Sequence, residues 1–347
     1  MRIIINTPAL SLSGGVANHY KGLSPFWSKN VRYNTIGGRF GIPGVVILPF
    51  DYIKFTLLCI FKKVDAVLLN PSLGKTALKR DALFLRITKR FGIKTFVFMH
   101  GWDKEIEAKI DETPKLFQSF LLADGFFVLA TAFKEKLMRW GVTAPVWLTS
   151  TKVDDRLLQD FSMSQKNTEP NKLLFLARVE KNKGIYIALE AFKNVQETNK
   201  ELVFQVAGSG SELAAAKTYC KDQNIENIIF SGDLSGQQLV NAFTTSDIYI
   251  LPTYHGEGMP TSVLEAMAFG LPIISRPVGG LNDFFENEKM GYLIESLKPE
   301  DYSQAIIKLI ENPKQCFEIT MHNHQYAKQN FMASKVASQL ENTIANV

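Results

Sequence analysis

Ile248–Leu251, IYIL, runs directly into Pro252–Gly270, PTYHGEGMPTSVLEAMAFG. The short apolar run reads as a buried strand. Gly256, Gly258 and Pro260 then mark a loop, Thr261–Phe269 is rich in helix formers, and Gly270 stands where a left-handed C′ residue closes a helix. This is a strand–loop–helix unit with the helix N-terminus at the loop. Unpaired N–H groups at a helix start attract anions, so a diphosphate fits against Met259, Pro260, Thr261 and Ser262. Glu257 lies in the loop, and Glu265 follows Thr261 by four residues and Ser262 by three, on the face of the helix start. Two carboxylates so placed can accept from hydroxyls on either side of a diphosphate, as the ribose and the sugar of a nucleotide sugar present them. An ordinary βα unit, with Glu265 on the surface and Glu257 in a turn, explains the same letters.

Outward from this unit, the pattern repeats. Arg2–Asn6, Ala66–Asn70, Thr95–His100 and Gly125–Ala130 read as strands before the midpoint, with helices from about Val16 and over Lys75–Phe91. After the midpoint, Leu173–Ala177, Leu202–Ala207, Asn227–Ser231 and Pro272–Ser275 read as strands, with helices over Ile185–Gln196 and Glu212–Gln223. Strand–helix alternation predicts an α/β fold with mostly parallel, doubly wound sheets. Ser162–Asn171, SMSQKNTEPN, is polar and aperiodic and reads as a linker, so two similar halves are expected, residues 1–165 and 166–329, with a tail helix from about 330 to 347. Ligands of such sheets bind at strand carboxyl ends, which makes the cleft between the halves the expected active site.

The 347 residues fit two domains, and 46% hydrophobic with 21% charged residues is the balance of a globular protein. Three cysteines, Cys59, Cys220 and Cys316, with no CxxC, argue against a disulfide framework or a zinc site and point to a reducing compartment. The opening MRIIINTPALSLSGG is too short in apolar residues for a signal peptide. Val45–Phe61 is apolar but interrupted by Pro49, Asp51 and Lys54, and no membrane span is expected there. Charge is uneven. Residues 1–150 hold 21 Lys/Arg against 10 Asp/Glu, a balance of +11, and residues 151–347 hold 18 against 24, a balance of −6. A basic first half suits an anionic partner such as a membrane surface.

A second segment, Leu173–Gly184, LLFLARVEKNKG, places Arg178 just past a strand and Lys183 five residues on. Two cations there can neutralise a diphosphate leaving group; a solvated charged loop is the competing reading. The FLAR-x4-KG run and the EGMPTSVLEAMAFGLPII run, at this separation, resemble the retaining family 4 glycosyltransferases (glycosyl transferases group 1) of GT-B fold. The resemblance covers nearly the whole chain and is strongest over residues 173–295.

That resemblance implies two Rossmann-like domains facing a cleft, with the C-terminal helix returning to the first. It implies that Arg178 and Lys183 hold the donor diphosphate, that Glu257 contacts the transferred sugar within the loop of Gly258, Met259 and Pro260, and that Glu265 binds the ribose. Gly208 and Gly210 of VAGSGSEL resemble the loop beside the nucleotide base. Gly279–Gly280 resembles the family's GGxxE turn, except that Asp283 stands in place of the Glu. In the first half, Gly14 and Gly15 of Ser13–Asn18 match the loop that reaches the donor phosphate, although a plain βα turn reads the same way. His100, at a strand end, matches a histidine beside the reacting carbon, with a satisfied buried histidine as the alternative. His19 only flanks the glycine loop. Asn70 and Lys75 fall where the family shapes its acceptor site. Lys75, Lys79, Arg80, Arg86, Lys89 and Arg90 make a basic helix that in similar enzymes meets an anionic bilayer.

The expected function is that of a retaining transferase of the hexosyltransferase class, moving a sugar from a nucleotide sugar, UDP by family analogy, to a saccharide or lipid-linked acceptor. The setting expected is cell-surface polysaccharide, lipopolysaccharide or glycolipid synthesis, in the cytoplasm or on the inner face of the plasma membrane. No D-x-D occurs, so no metal and no cofactor are expected, and cations with a helix N-terminus stabilise the leaving group. A front-face substitution fits, because no second carboxylate is placed as a nucleophile, and domain closure would exclude water. GKT at residues 74–76 lacks the upstream glycine of a Walker loop. The alternatives are a sugar-nucleotide epimerase of the same architecture and a non-catalytic nucleotide-binding module on a membrane surface. A nucleic-acid partner is not expected, since the basic helix carries few interleaved aromatics.

Overall fold

The computed structural model describes residues 1–12, 14–39, 41–61, 64–167 and 169–347. Ser13, in the expected glycine loop, and Thr168, in the expected linker, lie outside the described residues. Before residue 150 the elements are β1 (Ile3–Thr7), α1 (Gly15–Leu23), β2 (Val31–Thr35), α2 (Gly44–Phe61), β3 (Ala66–Leu69), α3 (Lys75–Arg90), β4 (Lys94–Met99), α4 (Lys104–Glu112), β5 (Gly125–Val128), α5 (Thr131–Arg139) and β6 (Val146–Leu148). After it come β7 (Lys172–Leu176), α6 (Ile185–Gln196), β8 (Val203–Ala207), α7 (Leu213–Asp222), β9 (Ile228–Gly232), α8 (Gly236–Thr244), β10 (Ile248–Leu251), α9 (Thr261–Ala268), β11 (Ile273–Ser275), β12 (Gly291–Leu293), α10 (Pro299–Glu311), α11 (Pro313–Asn330) and α12 (Ala333–Ala345). They form two compact units. The first comprises Met1–Lys152, Gly256–Met259 and Ala333–Val347, and the second Val153–His255 and Pro260–Met332.

The first unit holds a six-stranded sheet in the order β2-β1-β3-β4-β5-β6, with every pair parallel. β3 and β5 are apolar along their whole length, as strands covered on both faces are, and Phe96, Phe98, Phe126 and Phe127 fill the core. Strand order reverses between β1 and β3, and at such a switch point the adjacent connections depart to opposite faces and leave a crevice at the carboxyl ends. α12 returns to this unit and packs on α1, with the Ser28 amide donating to Glu341 Oε2 at 3.1 Å.

The apolar stretch that carries Pro49, Asp51 and Lys54 is one continuous helix, α2. The proline lies on the exposed side. Asp51 points inward and is fully buried, where its carboxylate accepts from Arg39 Nη2 at 2.6 Å and from the Gly37 amide at 2.8 Å. A buried charge so paired can be held inside a unit, which is why it does not end the helix.

The second unit holds a parallel sheet in the order β12-β11-β10-β7-β8-β9. Numbered within the unit and read from β9, that is the doubly wound order 3-2-1-4-5-6, with its reversal between β7 and β10. α6 packs with α10 and α9 with α11. Gly270 has φ +78°, the left-handed value its reading as a helix-closing residue requires. The segment read as a linker is fastened to this unit. Lys166 Nζ donates to the carbonyls of Phe243 (2.8 Å) and Ser246 (2.7 Å), closing the end of α8, and Asp247 accepts from the Asn171 and Lys172 amides at 3.0 Å each. Burial lowers the Lys166 ammonium to a pKa of about 7.

Candidate active site

In the second unit the chemistry-bearing residues converge on the carboxyl ends of β7 and β10, the two strands that flank the switch point. Arg178 leaves the end of β7, and a single turn, Lys181–Lys183, carries Lys183. Gly184 follows in the left-handed region at φ +81°, and a Cβ on it would overlap the Pro252 carbonyl oxygen, so only glycine fits. The Asn182 carbonyl accepts from the amides of Tyr254 (2.9 Å) and His255 (3.1 Å). The two loops are therefore sewn together by backbone bonds, and Lys183, 8% exposed, is held in that seam. Arg178 is 63% exposed at its side chain and pairs with Glu180 at 2.7 Å.

α9 begins at Thr261, with Pro260 as its cap residue and no side-chain cap hydrogen bond. Its first amides thus lack the side-chain acceptor that serine or aspartate would offer, the condition under which a helix start binds an anion. Tyr249 Oη lies 2.9 Å from the Leu176 carbonyl oxygen and 2.7 Å from Ser262 Oγ. A carbonyl only accepts, so the phenol donates to Leu176 and the serine hydroxyl donates to the phenol. Tyr249 thereby clamps the start of α9 to the end of β7 and occupies the Ser262 hydroxyl proton. Its aromatic ring within IYIL is the only sequence trace of this role, and the sequence reading passed over it. Glu265 sits one turn into α9 and is 7% exposed.

Gly208 and Gly210 have a packing reason for being glycines. A Cβ on Gly208, at φ +133°, would overlap the Ala177 carbonyl oxygen, and one on Gly210 would overlap that of Val179. The turn is pressed against the chain that carries Arg178, with Val179 N donating to Ser209 O at 2.9 Å and Glu212 N to Val179 O at 3.0 Å. Gly279 and Gly280 open a short turn that includes Asp283.

In the first unit the carboxyl ends of β1, β2, β3 and β4 carry a buried polar network. Asn70 Nδ2 donates to the Asn6 carbonyl at 2.8 Å and to Leu68 O at 3.3 Å. Its Oδ1 accepts from the Tyr20 hydroxyl and lies 3.0 Å from His100 Nε2. An amide oxygen only accepts, so His100 carries its proton on Nε2 and presents a lone pair on Nδ1. Burial lowers the His100 pKa from 6.5 to about 3, so the ring is neutral. It stacks on Phe98 at 3.8 Å between centroids. His19 is more than a flank of the glycine loop: it is 3% exposed, its ring centroid is 5.0 Å from that of His100, and neither ring nitrogen has a hydrogen-bond partner. Asn6, Asn34 and Tyr20 belong to the same network, with Asn34 Nδ2 donating to Asn6 Oδ1 at 2.9 Å, and none was singled out from sequence.

The loop that bears Glu257 belongs to this unit too. A Cβ on Gly258 would stand 2.6 Å from the His100 carbonyl oxygen and 2.7 Å from Leu129 Cδ1, and one on Gly256 would stand 2.8 Å from the Trp102 carbonyl oxygen. The loop therefore lies against the chain that leaves β4, and Glu257, half-buried, precedes Gly258 in it. Met259 is 8% exposed, and its carbonyl accepts from Thr151 at 3.4 Å. Gly14 has φ +154°, and a Cβ on Gly14 or Gly15 would meet no protein atom within 4 Å. Lys75 stands apart from Asn70 and His100 in its surroundings, lining cavities against α2 and α4. Among the described residues no three His, Cys, Asp or Glu side chains gather as a metal-binding group.

Residues 159–329 match the family model of the glycosyl transferases group 1. An uncharacterized glycosyltransferase of Methanocaldococcus jannaschii is 30% identical over 155 residues, which is 44% of this chain and 40% of that protein. The amylovoran biosynthesis glycosyltransferase AmsK of Erwinia amylovora is 27% identical over 148 residues, 41% of this chain and 35% of that protein. The chain spans about half or less of the length of the curated relatives it matches. Among solved structures, HepE of Anabaena in complex with UDP superposes with a TM-score of 0.80 over 100% of both chains at 14% identity, a likeness of fold.

Proposed function

We propose that this chain, whose residues 159–329 belong to the glycosyl transferases group 1, is a retaining glycosyltransferase that takes a sugar from a nucleotide-sugar donor, a UDP-sugar, and passes it to a saccharide or lipid-linked acceptor in cell-surface polysaccharide, lipopolysaccharide or glycolipid synthesis. One observation carries the reading: at the switch point of the second unit, the loop of Arg178 and Lys183 is bonded to the loop that leads to α9, and the α9 start is clamped to β7 by Tyr249. Three sources of positive potential, two side chains and a helix start, thus share one crevice end, the place where doubly wound sheets bind nucleotides. HepE, a protein of the same fold, was crystallised with UDP, and AmsK acts in the synthesis of a polysaccharide.

In the second unit Arg178, Lys183 and the amides of Thr261 and Ser262 bind the diphosphate and neutralise the charge that grows on it as the glycosidic bond breaks. Glu265 accepts from the ribose hydroxyls, and Gly208 and Gly210 shape the wall beside the base. No metal is needed for this role. In the first unit Glu257 accepts from hydroxyls of the sugar, held in the loop with Gly258 and Met259, which Pro260 of the second unit continues. Neutral His100 orients the sugar, with Asn70 fixing its tautomer. Gly14 and Gly15 approach the donor phosphate, and Asn70 belongs to the acceptor side. The departing phosphate oxygen takes the acceptor proton on the same face the leaving group vacates, which retains configuration. The enzyme works in the cytoplasm, with its basic first unit toward the inner face of the plasma membrane.

The test is a panel of UDP-, GDP- and ADP-sugars, read by thermal shift and by donor hydrolysis. One donor should raise the Tm, and Arg178→Ala and Lys183→Ala should each abolish that rise, while Glu257→Ala should keep it and lose turnover. A rise that survives both cation variants would refute the assignment. Conversion of the donor to an epimer without any acceptor would instead establish the epimerase reading.

A further inference from the structure

α2 is an apolar helix with one face seated in the first unit and the other unpartnered. Ile47, Asp51 and Phe55 are buried, at the spacing of one helix face. Val46 (55% exposed), Phe50 (68%), Ile53 (59%), Leu57 (47%) and Ile60 (51%) repeat at intervals of four and three residues and form a continuous outward stripe. Scattered exposed apolar side chains need no explanation, but a stripe along 18 residues of helix does. The helix is long and apolar enough to cross a bilayer, yet Asp51 is fully buried against Arg39 and the Gly37 amide, and a crossing would strip those bonds. A helix so moored lies along a surface.

The surroundings decide what covers it. Asp51 is the only acidic residue in the first 64, and its charge is already matched. Val45, Leu48 and Tyr52 share a cavity of about 490 Å³ with Lys75 and Lys79. The same two lysines line a second cavity, of about 700 Å³, with Arg86 and the part-exposed Leu83 and Leu116. An apolar strip bordered by cations fits a slab of hydrocarbon faced with phosphates. It fits a second copy less well, because a two-fold contact would bring two such cation-bordered strips into one interface. We infer that α2 lies flat in the surface of an anionic lipid bilayer, with its outward stripe among the acyl chains and Lys75, Lys79 and Arg86 on lipid phosphates. This goes beyond the electrostatic approach of a basic face, and it stands independently of sugar transfer.

The experiment is co-sedimentation of the full chain with vesicles of phosphatidylcholine alone and of phosphatidylcholine with an equal part of phosphatidylglycerol. The parent chain should bind the phosphatidylglycerol vesicles. The triple variant Phe50→Gln, Ile53→Gln, Leu57→Gln, which keeps good helix formers at exposed positions, should bind about ten-fold or more weakly. Lys79→Gln with Arg86→Gln should lose the preference for anionic lipid. As a check that does not depend on the triple variant folding, an environment-sensitive fluorophore on Ile53→Cys, in a Cys59→Ser background, should brighten with phosphatidylglycerol vesicles. Undiminished binding by a triple variant of parental Tm, a fluorophore that stays dark, or no binding by the parent would overturn the inference. So would a lipid-free parent that sediments as a dimer while the triple variant sediments as a monomer, since the stripe would then be covered by a second copy.

Discussion

Gly258→Ala is a one-carbon perturbation whose consequence follows from two distances. The new Cβ would stand 2.6 Å from the His100 carbonyl oxygen and 2.7 Å from Leu129 Cδ1, where ordinary contact begins at 3.4 Å. The His100 carbonyl is main chain at the end of a central strand, and Leu129 is 1% exposed, so neither gives way. The loop must therefore withdraw by about 0.8 Å, and it carries Glu257 with it. A displacement near 1 Å of a group that positions substrate costs roughly a hundred-fold in rate. The fold itself should lose only about 1–3 kcal/mol, the usual penalty of overpacking. The assay is kcat/KM for transfer from the donor identified in the panel, with the donor-induced Tm shift measured alongside. The shift should persist, because Arg178, Lys183 and the α9 amides belong to the other unit. An alanine variant with kcat/KM indistinguishable from that of the parent would show that the Glu257 loop does not take part in transfer as argued.

Gly15→Ala makes the opposite case: its Cβ meets no protein atom within 4 Å, so the Tm should stay put while the donor KM rises, and an unchanged KM would remove Gly15 from the donor site. Gly208→Ala combines a φ of +133° with overlap on the Ala177 carbonyl, so urea unfolding should report a loss of about 2–4 kcal/mol. The pH dependence follows from His100. Its folded pKa, lowered to about 3 by burial, lies below the unfolded value of 6.5, so between these the unfolded chain binds more protons and stability falls as pH drops. The slope from this group alone is about 1.4 kcal/mol per pH unit, so the parent should lose stability relative to His100→Asn as pH falls below 6.5; parallel unfolding of the two would refute neutral burial. The same neutrality predicts a pH–rate profile with no limb from His100 near 6.5.

The sheets were legible where strands are central and apolar. The strands passed over in sequence, β2, β6 and β12, are all edge strands, and VRYNT or a three-residue VWL carries little of the apolar signal that two-sided burial imposes. α2 was not read as a helix from sequence, because a proline and an aspartate break its apolar run and the carboxylate's partner, Arg39, lies twelve residues back. The donor-side residues could be read because each follows a strand directly. The network of Asn6, Asn34 and Asn70 could not, since it exists only once β1 lies between β2 and β3, with Asn6 opposite Asn34 in register. Tyr249 likewise looked like one more strand apolar residue, because its hydroxyl partners come from two other elements.

The first unit is discontinuous, and that sets a timetable for its assembly. Its six strands are synthesised by Leu148, but α12, which packs on α1, does not begin until Ala333. At about 5–20 residues per second, a ribosome takes roughly 10–40 s to cover that interval. During this time the α1 surface that α12 will cover is bare, while the second unit, continuous but for four residues, is still emerging. The domain that is made first is thus the one completed last. Its nascent form has an open flank that a chaperone could hold, and any chain released before Ala333 leaves that flank permanently uncovered.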